Sequence, residues 1–226
     1  MKIGDTEESC INFIYDMLEH FADSRYYQID KKPVLVIYRP SMIVNTEKVL
    51  KEWRRIVKEK NNQEIYIMAV QEKGDRVNWC EFGYDAETEF QPKRVSSEAT
   101  EITDKVDTVN SKFRGTIYDY KDLVLNKRYK IKKNIEKKVY PAVMPMWDNT
   151  ARRNDSGIIY HGSTPELYGM WLDDAITQVE GNSKLDEQIV FVNAWNEWGE
   201  GTYLEPDRMY GYAYLDKTHE IMIKHD

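Results

Sequence analysis

Residues 188–207 read QIVFVNAWNEWGEGTYLEPD. An apolar, β-branched run, Ile189–Val192, stops abruptly in a polar, Trp-rich segment broken by Gly199 and Gly201. Short runs of this kind, bounded by turn residues, predict a buried strand. In α/β barrels the loops leaving the C-terminal ends of such strands carry the catalytic groups. This loop holds two carboxylates three positions apart, Glu197 and Glu200, with Trp195 and Trp198 flanking the first. Glycosidic chemistry needs such a set: one carboxyl to donate a proton, one to stay charged, and flat apolar faces to grip a sugar ring.

A Glu pair at i, i+3 is ordinarily just a solvated surface. Three features point elsewhere. The pair directly follows the most apolar strand of the chain. Large aromatics are poor choices for a merely solvated loop. Gly199 and Gly201 permit backbone shapes that bring the chain close to a ligand. Asn196 and Tyr203, in the same segment, join Trp195 and Trp198 as candidate sugar contacts.

Outward from this loop, predicted strands and helices alternate, which implies parallel pairing. Residues 8–22 predict a helix with Ile11, Ile14, Tyr15, Leu18 and Phe21 on one face. Val34–Tyr38 predicts a strand entered after Pro33. Thr46 is the expected N-cap of a helix running to Lys60, with Val49, Leu50, Trp53, Ile56 and Val57 inward. Strands are expected at Glu64–Val70 and Val139–Pro145. Between them lie an irregular stretch, Gln71–Asp107, with one short strand, and a helix over Asp119–Lys133. Thr164 at N-cap, Pro165 at the first helical position and Gly181 beyond the end frame another helix. A last helix spans Tyr210–Ile223.

Three polar groups then fall just after predicted strands: Tyr38-Arg39-Pro40, Trp147-Asp148-Asn149 and Asn196-Glu197. Parallel strands would deliver them to one face, where they line one pocket. Arg39 is read either as an anion ligand, a partner holding Glu197 charged, or a structural ion pair. Asp148 either bonds sugar hydroxyls or caps the following turn. Arg152 and Arg153 either bind an anionic group or are ordinary surface arginines. Tyr38 and Trp147 are either stacking platforms or core residues.

The 226 residues, 41% hydrophobic and 31% charged, suit a soluble globular protein with one core. No run approaches the ~20 apolar residues of a membrane helix. The start, MKIGDTEE, lacks the apolar stretch of a secretory signal. Two cysteines, Cys10 and Cys80, make no disulfide framework, so a reducing, cytoplasmic compartment is expected. The net charge of −7 argues against nucleic acid. The basic run Lys127–Lys138 reads as a solvated helix end, with an anionic membrane or lipid-linked sugar as the alternative. His20, His161, His219 and His225 lack ligand spacing, so no metal site is expected. No cofactor motif is present.

NAWNEWGEG followed by LEPD resembles the WbsX-type proteins of bacterial surface-polysaccharide gene clusters, a branch similar to glycoside hydrolase family 99. KPVLVIYRP at 32–40, GYDAETEF at 83–90, MPMWDNTARR at 144–153 and GYAYL at 211–215 agree in order. The resemblance runs over nearly the whole chain from about residue 20. It implies a (β/α)8 barrel, and because such barrels have ~250 residues or more, the chain is expected to be a single domain comprising the C-terminal five or so β/α units, with N-terminal strands missing. The open strand edges would be covered by the missing barrel half or by a second copy.

By the same resemblance, Glu197 is the base that deprotonates a neighbouring sugar 2-hydroxyl, giving an anhydro-sugar intermediate, and Glu200 is the acid that protonates the leaving oxygen. The acid must then stay protonated near neutral pH. The hydrolases have His where this chain has Gly199, so substrate contacts there must differ. Three readings follow. The first is an enzyme acting on glycosidic bonds in bacterial surface polysaccharide (O-antigen, lipopolysaccharide or capsule), its partner an oligo- or polysaccharide. The second is a glycosyltransferase, although no D-x-D or Gly-rich nucleotide loop is seen. The third is an inactive glycan-binding remnant.

Overall fold

A computed structural model describes residues 6–71, 77–130 and 138–226, and the fold is mixed α/β. The chain divides into two compact units. One comprises Met1–Glu89, Ile135–Tyr140 and Ser183–Glu187; the other comprises Phe90–Asn134, Pro141–Asn182 and Gln188–Asp226.

The first unit is built on parallel strands Lys32–Ile37, Tyr66–Val70, Ala86–Thr88 and Val139–Tyr140, paired in that order. A short antiparallel strand, Gln28–Ile29, leads into the first through Asp30 and Lys31, both at positive φ (49° and 63°). That backbone is what a two-residue hairpin turn demands. Every residue of Tyr66–Val70 is buried, as expected of a parallel strand covered on both faces.

Helices α1 (Glu7–Phe21) and α2 (Thr46–Asn61) pack together in this unit. All five inward residues expected of α2 are buried, and Trp53 is fully so, its indole N–H donating to the Cys10 carbonyl at 2.9 Å. Two expectations are corrected. Tyr15 is exposed and Cys10 is buried in its stead, while Ile14 and Phe21 are buried and Ile11 and Leu18 pack against the core as expected. The N-cap of α2 is Asn45, in the left-handed region, because the Thr46 hydroxyl donates to the Ile43 carbonyl.

The second unit contains a parallel pair, Ala142–Val143 with Phe191–Val192. The strand expected over Val139–Pro145 is therefore two short strands, one on each side of Pro141, which has no N–H to give to a ladder. A three-stranded sheet, not foreseen, pairs Thr116–Asp119 parallel to Ile158–His161, which is antiparallel to Trp147–Asp148.

Around these lie α3 (Tyr120–Leu125), α4 (Thr150–Arg153), α5 (Pro165–Glu180) and α6 (Ala213–His225). The helix expected over Asp119–Lys133 ends at Leu125, and residues 131–137, with most of the basic run, lie outside the described residues. α5 is framed as expected: the Thr164 hydroxyl accepts from the Leu167 N–H and Pro165 opens the helix. Buried Tyr120, Tyr168 and Trp171 centre the core, with the Tyr120 hydroxyl donating to the Met144 carbonyl at 2.7 Å.

Candidate functional site

The Glu-bearing segment is a tight hairpin in the second unit. Phe191–Val192 ends at a cis Asn193–Ala194 peptide bond, and Asn196–Glu197 then pairs antiparallel with Thr202–Tyr203. The backbone N–H groups of Leu204 and Glu205 both donate to the Trp195 carbonyl, at 2.9 and 3.1 Å. The buried Thr202 hydroxyl donates to the Asn193 carbonyl at 2.5 Å. These bonds fix both feet of the hairpin, and the turn Trp198–Glu200 forms its tip.

Gly201 closes the tip at φ +56°. A Cβ there would stand 2.5 Å from the Asp148 carbonyl oxygen and 2.8 Å from its nitrogen. The hairpin thus rests backbone to backbone on the strand Trp147–Asp148, a contact only glycine allows.

Glu197 and Glu200 are brought together by one guanidinium. Arg152 Nη2 donates to Glu197 Oε2 at 2.8 Å, and Nη1 donates to Glu200 Oε1 at 3.1 Å. Arg152 sits on α4, a single turn that follows Asp148 directly. The three side chains are 53%, 44% and 25% exposed for Arg152, Glu197 and Glu200, so all are open to solvent. A Cβ on Gly199 would lie 2.8 Å from Arg152 Nε. The space a side chain would need at position 199 is taken by this arginine.

Around the pair, Trp195 and Trp198 are exposed. Trp198 is held rigidly: its ring stacks on Tyr203 with centroids 3.8 Å apart, and its indole N–H donates to Glu205 Oε2 at 2.6 Å. Asn196 is exposed beside them. Asp148 Oδ1 accepts from the Thr150 N–H and hydroxyl, at 2.9 and 2.6 Å, so it caps the following turn. Trp147 is buried in the core, the second of its two expected places.

Tyr38 and Arg39 lie in the first unit, both exposed. The Arg39 guanidinium stands over the Tyr38 ring at 5.7 Å and reaches Met42 Sδ at 3.8 Å. Arg152 is the residue that sequence reasoning underweighted. Its one local signal is its place in the MWDNTARR segment, just past a strand end.

The chain matches the family model described as Glycosyltransferase WbsX over residues 2–218. Two curated proteins, each named uncharacterized protein WxcX, from two strains of Xanthomonas campestris pv. campestris, are 31% identical to it over 212 residues. The match covers 94% of this chain, which spans 30% of the length of those relatives. Among solved structures, a glycoside hydrolase-like protein aligns with a TM-score of 0.65 at 19% identity, covering 94% of this chain and 61% of that one. The GH99 endo-α-mannosidase from Bacteroides thetaiotaomicron aligns with a TM-score of 0.57 at 12% identity, covering 98% and 64%. At such identities the likeness is one of fold.

Proposed function

The chain belongs to the glycosyltransferase WbsX family, and from that premise we propose that it acts on glycosidic bonds of bacterial surface polysaccharide with Glu197 and Glu200 as its acid–base pair. The observation that carries this reading is the single guanidinium of Arg152 bridging both carboxylates beside two exposed indoles. A pair that acts on the same bond must be held at a fixed spacing, and the shared guanidinium sets one.

In this reading Glu197, next to Trp198, takes a proton from a sugar hydroxyl, and Glu200 delivers one to the leaving oxygen. Arg152 is half exposed and its helix is one turn long. The Trp198–Tyr203 stack supplies a pre-set apolar face for the ring.

We read the parallel strands as the C-terminal part of a (β/α)8 barrel; the likeness of fold to the glycoside hydrolase-like protein and the GH99 endo-α-mannosidase is what favours this reading. The edge of the first unit's sheet is held by the short strand Gln28–Ile29, and further barrel strands or a second copy would pair beyond it. Tyr38 and Arg39, just past Lys32–Ile37 in the first unit, would contact substrate.

The family description favours a second reading, a glycosyltransferase. One experiment separates them. The protein is incubated with bacterial surface polysaccharide alone, and with polysaccharide plus nucleotide sugars, and products are followed by mass spectrometry. Shortened glycans without nucleotide sugar support hydrolysis; lengthened glycans with nucleotide release support transfer. Neither product, or products unchanged in Glu197→Gln, contradicts the proposal.

A further inference from the structure

The second unit holds an open cleft of about 550 Å³ that the Glu hairpin does not line. Its floor is one face of the three-stranded sheet. Ile117 and Ile159 lie side by side in register, and Asp148 is opposite Ile159 on the third strand. The alternate residues Tyr118, Tyr160 and Trp147 pack on the core. Period-two alternation thus sorts this sheet into a core face and a cleft face.

The far wall is the loop Val106–Asn110 with Phe113. Asn110 Nδ2 donates to Asp155 Oδ1 at 2.8 Å, and the Arg114 N–H donates to the Asp155 carbonyl at 2.7 Å, so the wall is tied to the segment just after α4. Asp107, Asp148 and Asp155 line the cleft, His161 stands at its end, and among the described residues lining it none is Lys or Arg.

This cleft and the glutamate pair share one stretch of chain. Asp148, Thr150, Asn154 and Asp155 line the cleft, while Arg152, between them, holds Glu197 and Glu200. Gly201, next to Glu200, rests on the Asp148 backbone. The volume falls within the roughly 300–1,000 Å³ of ligand-binding clefts. An apolar floor ringed by hydrogen-bond acceptors matches a pyranose, whose C–H face lies on Ile and Phe while its hydroxyls donate to carboxylates. A sugar acid placed among three aspartates would meet like charge.

We propose that this cleft is a second saccharide subsite, joined to the Glu197–Glu200 pair by the shared segment 148–155, that takes a neutral segment of the glycan and rejects uronate-bearing ones. Its link to chemistry rests on the function proposed above; its binding does not.

The test uses neutral gluco-, manno- and galacto-oligosaccharides and oligogalacturonates of matched length. Hydrogen exchange is followed at residues 106–113, and affinity is measured by calorimetry. The expected result is protection of 106–113 by a neutral probe, with the matched oligogalacturonate bound at least about tenfold more weakly. Val109 is fully exposed in the loop, so Val109→Arg leaves the fold intact and is expected to narrow that gap. Glu197→Gln is expected to retain the protection. Absence of protection by every neutral probe, or equal binding of the acidic ones, overturns the proposal. The two readings fail separately. Lost turnover in Glu197→Gln with a silent cleft removes only the subsite. Retained turnover with a protected cleft removes only the acid–base pair.

Discussion

Arg152 Nη2 lies 2.8 Å from Glu197 Oε2, a contact that ties α4 to a hairpin 45 residues further along the chain. The same guanidinium reaches Glu200, so one side chain sets the spacing of both carboxylates. All three groups are partly solvated, and exposed ion pairs contribute roughly 0–1 kcal/mol. Arg152→Gln is therefore expected to leave the unfolding midpoint nearly unchanged while lowering turnover by at least about tenfold, an effect of misplaced acid and base. Parallel thermal melts and activity assays check this; a large loss of stability with normal activity would contradict it.

Gly199 leaves room for that arginine. Gly199→Ala places a methyl where Arg152 Nε passes at 2.8 Å, and is expected to displace the guanidinium and mimic Arg152→Gln in activity. Gly201→Ala is expected to act differently. Its φ of +56° and the 2.5 Å approach to the Asp148 carbonyl strain both backbone and packing, costing on the order of 1–3 kcal/mol. Urea unfolding of the two variants distinguishes them: only Gly201→Ala should shift the midpoint strongly.

Trp53 anchors the first unit. Buried on all sides and bonded to the Cys10 carbonyl, it fixes α1 against α2. Trp53→Ala is expected to cost about 3–5 kcal/mol, a large part of a typical domain's stability of roughly 5–15 kcal/mol. Far-UV circular dichroism in urea reads the loss; a change below about 1 kcal/mol would refute the packing described.

His225, at the end of α6, pairs with Asp173 at 2.7 Å and with Glu180 at 2.9 Å, both on α5. The hydrogen bond to Asp173, opposed by partial burial and aided by Glu180, raises the imidazole above its ordinary value. A raised imidazole stabilises the fold fully below its unfolded value of about 6.5, and that contribution disappears as pH rises through the higher folded value. Asp173 is held below the usual carboxylate range, chiefly by its hydrogen bond to Lys224, so its contribution is lost only in stronger acid. His225→Gln is expected to destabilise the protein at about pH 6 and much less at about pH 9. Urea unfolding at the two pH values tests it, and an effect growing with pH would contradict the assignment.

Sequence periodicity carried α2 and α5 well because their signals are local. The five apolar positions of α2 recur at helical spacing, and Thr164-Pro165 marks the start of α5 within two residues. The strands Thr116–Asp119 and Ile158–His161 escaped notice because each is four residues long and is defined by a partner about forty positions away. The Thr46 cap failed for a related reason: its hydroxyl found a carbonyl three residues back. At the site, the Glu pair and its indoles stood out in a single loop. Arg152 did not, since nothing near position 152 encodes a partner at 197. Its trace in the sequence was the glycine at 199, read as a departure from a pattern and occupied in the fold by the arginine itself.

The most direct test of the account is the rate at which the protein releases new reducing ends from bacterial surface polysaccharide, measured for the native chain, Glu197→Gln and Glu200→Gln, each shown to be folded by circular dichroism. The account predicts release by the native chain and a loss of about 10²–10⁴-fold in each variant, the range for removing a general acid or base. Rates in either variant equal to the native rate would contradict it.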